Sequence, residues 1–419
     1  MAYITVLCAL ILLIQAITKR LLTGATLWVA FYYCFFVIAP LLLGMNDSLA
    51  TMYAQIGITT FLIGYTFSIC IALYTEKRYK RINCASPELV TYGFIDSSKV
   101  SKYTDFLIRA SLVLLVLGLG INGIRSLLRG HLTTATISAN SNMFMTLFDY
   151  AREWLGYTIV MQVVGNGRKI EKKSIIQLII FALLTVLFSF TRVSLIYILS
   201  LLMIYLMRKE SVRKQVGYSI ALVAATVVLL SMMIVIRTFG VTELFARFNF
   251  NYLKNNIAMT IDFTRIYLSF TDLIHSPVRI TPLVYLKPIF AIIPRSLWPG
   301  KPMSSAVEIF KQLHFSAWQS GGSTGYTLLG EAFAVCGEIG IYIYPLIFGL
   351  IIPLMDSKYI RYVKTGNDRS LKCFFYLYFA DVFILQAFRH GTDIALMFLP
   401  LYFFVFWLIT QVRFKFRIR

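Results

Sequence analysis

The sequence predicts an all-α, polytopic integral membrane protein, and three observations carry that prediction. The 419-residue chain is 58% hydrophobic and only 14% charged, with a mean hydropathy of +0.73, a balance that soluble globules do not show. Its apolar residues gather in runs near the ~20 residues that a bilayer-crossing helix needs. Its 40 Lys and Arg against 19 Asp and Glu give a formal net charge of +21, but they fall mostly between those runs, where they set orientation instead of attracting nucleic acid. An aromatic content of 15% also excludes a disordered or low-complexity chain.

About eleven transmembrane helices follow, at 2–17, 25–45, 52–74, 105–124, 143–164, 174–190, 193–207, 216–236, 329–355, 373–388 and 394–412. The first run has no basic residue ahead of it and Lys19-Arg20 behind it, the reverse of a cleavable signal, so it is expected to remain as a helix. Gly118, Gly120 and Gly123 spell G-x-G-x-x-G inside the fourth run; with no strand before them they predict close helix packing, not a dinucleotide site. The pair at 174–190 and 193–207 is short. Basic loops flank the pair on both sides, which requires an even number of crossings and a turn at Thr191-Arg192.

Charge orients the chain. Loops at 19–20, 76–104, 165–173, 208–215 and 356–372 and the tail 413–419 hold 25 Lys and Arg, while the short loops opposite hold only Arg125, Arg129, Arg192 and Arg389. The basic side is cytoplasmic, so the N-terminus lies outside and the tail inside. The organisation is then helices one to eight over 1–236, a large external segment over 237–328, and helices nine to eleven with the cytoplasmic tail over 329–419. The external segment has 92 residues, nine Lys and Arg against four Asp and Glu, and six of the eleven prolines within 277–302. Its apolar piece Leu283 to Ile293, interrupted at Lys287-Pro288, is too short to span and is expected at the interface or against the bundle. A segment this long and this aromatic reads as ordered and functional.

Six cysteines without a Cys-x-x-Cys pair read as buried, unpaired thiols. No P-loop, no His-Glu-x-x-His, no Gly-x-Ser-x-Gly and no Asp-x-Asp of the kind that holds a metal on a nucleotide-sugar occurs, so no metal or cofactor is expected. No internal repeat is visible, which speaks against a transporter built from repeats.

Ionisable residues in apolar runs are costly, on the order of 3 kcal/mol each, and face a partner, a cavity or a pathway. Asp149, Arg152 and Glu153 share a helix face, either as an internal ion pair locking the bundle or as one wall of a polar chamber. Glu331 and Glu338, seven apart, are expected on one face of span nine, about 10 Å apart along the axis, with Glu331 at the external mouth. All four histidines, His131, His275, His314 and His390, fall on the external side. Arg389-His390 sits in a tight turn opposite Arg192, and the guanidinium fork suits phosphate oxygens.

The run Ile293-Pro294-Arg295-Ser296-Leu297-Trp298-Pro299-Gly300-Lys301-Pro302, then Gly321-Gly322-Ser323-Thr324 and Gly330-Glu331-Ala332-Phe333, with Gly337-Glu338-Ile339-Gly340 close behind, resembles the Wzy-type O-antigen polymerases, or oligosaccharide repeat-unit polymerases. Ser189-Phe190-Thr191-Arg192 is similar to the serine–arginine hairpin of these polymerases and of the related O-antigen ligases. The resemblance implies a GT-C-like, metal-independent membrane glycosyltransferase at the periplasmic face of the bacterial inner membrane. It would polymerise undecaprenyl diphosphate-linked oligosaccharide repeat units into O-antigen or a related surface polysaccharide. Donor and acceptor would both be lipid-linked glycans, with room for a chain-length regulator. A diphosphate leaving group without a metal needs cations: Arg192, Arg295, Lys301 and Arg389 match the family's basic positions, while Arg237, Arg265 and Arg279 share the external segment. Glu331 and His390 are the candidate bases. A flippase or exporter of the same glycan, or an O-antigen ligase, stays open as the alternative. The large external segment and unequal halves speak against the first, and the Pro-Arg-x-x-Trp-Pro-x-Lys-Pro run speaks against the second.

Overall fold

A computed structural model describes residues 1–18, 23–82, 94–128, 143–167, 169–188, 193–247, 263–286, 289, 298, 300–319, 324–389 and 391–411. Of the candidate residues, Arg192, Arg295 and His390 lie outside these ranges, as do the Thr191-Arg192 turn and the side chain of Arg237. Among the described residues every named element is a helix, and Phe94 and Ser370 form an isolated antiparallel bridge.

Each of the eleven apolar runs is helical: Ala2–Ile17, Gly24–Leu43 with a wide π turn at Cys34–Ile38, Ser48–Ile82, Ser97–Leu128, Met143–Gly165, Lys172–Phe188, Val193–Met207, Val212–Phe239, Glu338–Lys364, Leu371–Arg389 and Thr392–Gln411. Five of these, Gly24–Leu43, Ser48–Glu76, Ser97–Ile121, Glu338–Lys364 and Leu371–Arg389, are long and apolar enough to cross a bilayer. Helices are what a lipid environment selects, because they satisfy the backbone internally. The π turn at Cys34–Ile38 precedes Pro40, whose missing N–H disturbs the regular ladder there.

One expectation is corrected. The ninth run is not one helix from 329 to 355 but two, Leu328–Cys336 and Glu338–Lys364, parted at Gly337 with φ +62°. A left-handed residue ends a helix, so Glu331 and Glu338 do not share a face. Glu338 opens the spanning helix and accepts a hydrogen bond from the Tyr53 hydroxyl at 3.1 Å.

The chain forms two compact units, each discontinuous in sequence. The first takes 1–91, 262–364 and 375–405. Its core is aromatic: Trp28 stacks on Phe61 at 3.6 Å and on Tyr32 at 4.7 Å, with Phe388 edge-on at 5.6 Å. The helices Ser48–Ile82 and Glu338–Lys364 approach at small residues, Gly64 against the Leu346 carbonyl and Gly349 against that of Phe61, the packing mode membranes favour. Asp356 accepts from the N–H groups of Gly24 and Ala25 at 2.9 and 3.1 Å, closing the first turn of the second apolar helix.

Segment 237–328 contributes several described pieces to this unit. Helix Phe263–Ile274 buries Ile266, Phe270 and Leu273 and leaves Arg265 and Asp272 exposed. Residues 277–281 run extended, fixed by the Ile280 N–H to the Ala334 carbonyl at 2.9 Å. Helix Ser305–Leu313 buries Ala306, Ile309 and Phe310, so Glu308, Lys311 and Gln312 occupy its other face.

The second unit takes 92–261, 365–374 and 406–419. Arg152, 1% exposed, donates to Thr185 at 3.1 Å, Asp149 at 3.3 Å and Ser194 at 3.4 Å. These contacts tie Met143–Gly165 to two neighbouring helices, the locking role. Gly118 lies against Met145, and Gly120 adopts φ +60° and kinks its helix. In the basic loops, Arg208 and Lys209 both reach Asp368, at 2.5 and 3.0 Å. The five described cysteines are unpaired; Cys8 and Cys373 are buried, whereas Cys70 and Cys336 are exposed.

Candidate anion-binding cleft

Two of the cations singled out in the sequence come together. Arg279, at the end of the extended run, and Lys301, in the Pro-rich motif, line one cleft of about 350 Å³ with Lys311, Glu308 and Gln312 from helix Ser305–Leu313. The floor includes Ile280, Val284 and Met303. The cleft is built wholly within the first unit.

Arg279 and Lys311 are each held by something other than an acid. Arg279 lies over the Phe333 ring at 4.3 Å and donates to its neighbour's carbonyl, that of Val278, at 2.7 Å. Lys311 lies 5.2 Å from the centre of the Trp318 ring. Neither has a carboxylate within ion-pair distance among the described residues. Aromatic faces orient a cation without neutralising it, so the cleft keeps its positive field for an incoming anion.

Arg265 and Arg389 stand elsewhere. Their elements converge on Gly325, whose α-carbon faces the Arg389 carbonyl so closely that no side chain fits, with Ile266 of the Arg265 helix beside it. Arg265 is exposed and Arg389 half-buried. Among the described candidate cations, then, Arg279 and Lys301 line the cleft and Arg265 and Arg389 do not.

Glu331 is not in the cleft lining. It is 1% exposed, and its Oε2 accepts the Thr392 N–H at 2.6 Å, capping the last helix from outside. Asp393, 0% exposed, does the same for helix Ser305–Leu313, accepting the Ser305 hydroxyl at 2.6 Å and its N–H at 3.1 Å. Gly391, φ +104°, sits among the three; a methyl group there would meet Ser305, Asp393 and Glu331. Asp393 thus pins the cleft's helical wall to the last helix, and Glu331 pins Leu328–Cys336 to the same end. Glu331 lies outside the span Glu338–Lys364, and burial pushes its carboxyl up to about 7, helped by Asp393 and opposed by the hydrogen bond from Thr392. Its Oε1 makes no hydrogen bond among the described residues. Burial, together with the nearby Glu331 carboxyl, pushes the Tyr285 phenol upward as well.

Sequence reasoning missed Lys311, Glu308, Ser305, Asp393 and Tyr285. Asp393 carried a readable signal, an acid in the first turn of an apolar run. Lys311 and Glu308 carried only the i, i+3 spacing of an amphipathic helix too short to stand out.

Comparison with models of known protein families, with curated proteins and with solved structures finds no match.

Proposed function

We propose that the chain is a membrane glycosyltransferase that polymerises undecaprenyl diphosphate-linked oligosaccharide repeat units at the periplasmic face of the bacterial inner membrane, with about eleven crossings and a GT-C-like plan. The observation that carries this reading is the cleft in which Arg279, Lys301 and Lys311 converge on the segment expected outside.

In the reaction, a hydroxyl oxygen of the acceptor glycan attacks the anomeric carbon of the donor. The bond from that carbon to the diphosphate oxygen breaks, and the diphosphate leaves with the electron pair. Negative charge grows on the leaving group, and preorganised cations stabilise it where it forms. Arg279 and Lys301 fill that role in the cleft; the resemblance adds Arg192, Arg295 and Arg389, and the shared segment adds Arg265, as further candidates for holding the substrate.

The acceptor hydroxyl loses its proton to a base, for which Glu331 and His390 are the candidates. A carboxyl at about 7 has the proton affinity the task needs. Its burial, at 1% exposed, means that an acceptor reaches it only after a local rearrangement.

Deletion of the gene in its native strain should leave single repeat units on the lipid anchor. Wild-type protein should restore long chains, whereas Arg279→Ala and Lys301→Ala should restore at most about a tenth of the polymer, the loss expected for one charge-assisted hydrogen bond of ~1.5–3 kcal/mol. Arg192→Ala and Arg389→Ala should behave alike. Wild-type chain lengths in all four variants, at normal protein levels, would overturn the reading. So would surface glycan missing altogether over undecorated core, which marks a flippase, or free long polymer, which marks a ligase.

A further inference from the structure

The cleft holds a carboxylate where an anion site should have none. Glu308 lines it beside Arg279, Lys301 and Lys311, and like charge facing a diphosphate opposes binding. Glu308 forms no ion pair among the described residues, although Lys311 follows it by three on the same helix. Among the described residues its side chain accepts one hydrogen bond, from the Gln312 amide at 3.4 Å. An acid in the first turn of a helix is favoured by the helix dipole, but the dipole does not account for an acid and an amide side by side in the same cleft.

The chemistry of the pair is complementary to a sugar. A carboxylate accepts several hydrogen bonds and donates none; an amide both donates and accepts. A diphosphate diester only accepts, so it offers Glu308 nothing. Sugar hydroxyls donate to a carboxylate and accept from an amide N–H.

We propose that Glu308 and Gln312 read the sugar joined directly to the diphosphate of the lipid-linked glycan, with Arg279, Lys301 and Lys311 holding the diphosphate beside it. The cleft is bipartite: one edge for the phosphate oxygens and one for the first sugar. This rests on the reading of the cleft as a lipid diphosphate site, and it adds that Glu308 is a specificity residue working against bare phosphate.

The two substituents of the diphosphate separate the claims. Purified full-length protein in nanodiscs is titrated with two lipids of equal charge: the undecaprenyl diphosphate-linked repeat unit extracted from the deletion strain, and undecaprenyl diphosphate capped with a methyl group. Wild type should prefer the glycosylated lipid by about tenfold or more, the order expected where a hydrogen-bonding edge meets its hydroxyls. Glu308→Gln, which keeps the shape and removes the charge, should weaken the glycosylated lipid about tenfold and tighten the methyl-capped one. Gln312→Ala should weaken the glycosylated lipid alone, and Lys311→Met should weaken both alike.

Melting temperature is read in parallel. If Glu308 serves only the helix dipole, Glu308→Gln lowers the melting temperature and leaves both affinities in their wild-type ratio, which overturns the proposal. Should Glu308→Gln fail to fold, Gln312→Ala carries the same test. A wild-type protein that binds both lipids equally refutes the sugar edge while sparing the diphosphate site. A wild-type protein that binds neither refutes the underlying function.

Discussion

At the scale of single residues, the acid pair Glu331 and Asp393 shows how a buried charge is kept. Each carboxylate takes an N–H donor from the first residue of a helix, a group that has no intrahelical partner of its own. Ionisation of Glu331 still costs, since burial and Asp393 raise its carboxyl from an ordinary value of 4.5 to about 7. The folded state therefore holds the proton more tightly than the unfolded chain. Its contribution to stability is complete below about 4.5 and is lost as pH rises through about 7. Wild-type protein in detergent should accordingly melt at a lower temperature at pH 8 than at pH 5, and Glu331→Gln should flatten that difference while retaining the Thr392 hydrogen bond. Parallel melting curves for the two proteins across this range would show that Glu331 does not bind its proton as the geometry requires. Of this arrangement, Glu331 was legible because it opens an apolar run. Its role as a cap was not, since the partner that makes it one, Thr392, lies 61 residues on and no local pattern links them.

At the scale of elements, hydropathy located helices at every apolar run, but not their ends: the runs at 52–74 and 105–124 became Ser48–Ile82 and Ser97–Leu128, and the ninth run became two helices. What averaging over a window of about 20 residues cannot register is a single left-handed residue. Gly337 therefore split the ninth run unseen, and with it the shared face of Glu331 and Glu338. Contacts between helices are equally hidden, because a glycine packed against a neighbour and a glycine open to lipid are the same letter. Gly349 faces the Phe61 carbonyl and the Tyr65 N, while Gly217 has nothing within 4 Å. Gly349→Leu should thus force Glu338–Lys364 away from Ser48–Ile82 and destabilise the protein by about 1–3 kcal/mol or more. Gly217→Leu should stay within about 0.5 kcal/mol of wild type, as open surface positions do. Thermal melts of both variants in one detergent decide it, and equal behaviour would mean that the close approach of these two helices is not what holds them.

At the scale of the whole molecule, orientation is the property from which the proposed chemistry follows. The cleft was half legible: Arg279 and Lys301 were picked out as cations of one segment, but their meeting with Lys311 depends on the Ile280–Ala334 hydrogen bond and on a short helix pinned through Ser305, neither of which has a sequence signature. Charge distribution, by contrast, is readable without any fold. The loops and tail on one expected side carry 25 Lys and Arg and the short loops opposite carry four, the bias from which a cytoplasmic side is expected. Long segments escape that rule, so the nine basic residues of 237–328 do not argue for its being inside; its side is set by the parity of the helices around it. Reporter fusions after Lys173, Ser305 and Arg419 test that parity directly. Lys173 and Arg419 should report the cytoplasm and Ser305 the periplasm. The fusion at Ser305 bears the most weight, because it follows the eight expected crossings and falls at the wall of the cleft itself. A cytoplasmic signal there would place Arg279, Lys301 and Lys311 on the wrong face for a lipid-linked glycan in the outer leaflet, and no choice of base or specificity residue would then rescue a periplasmic polymerase.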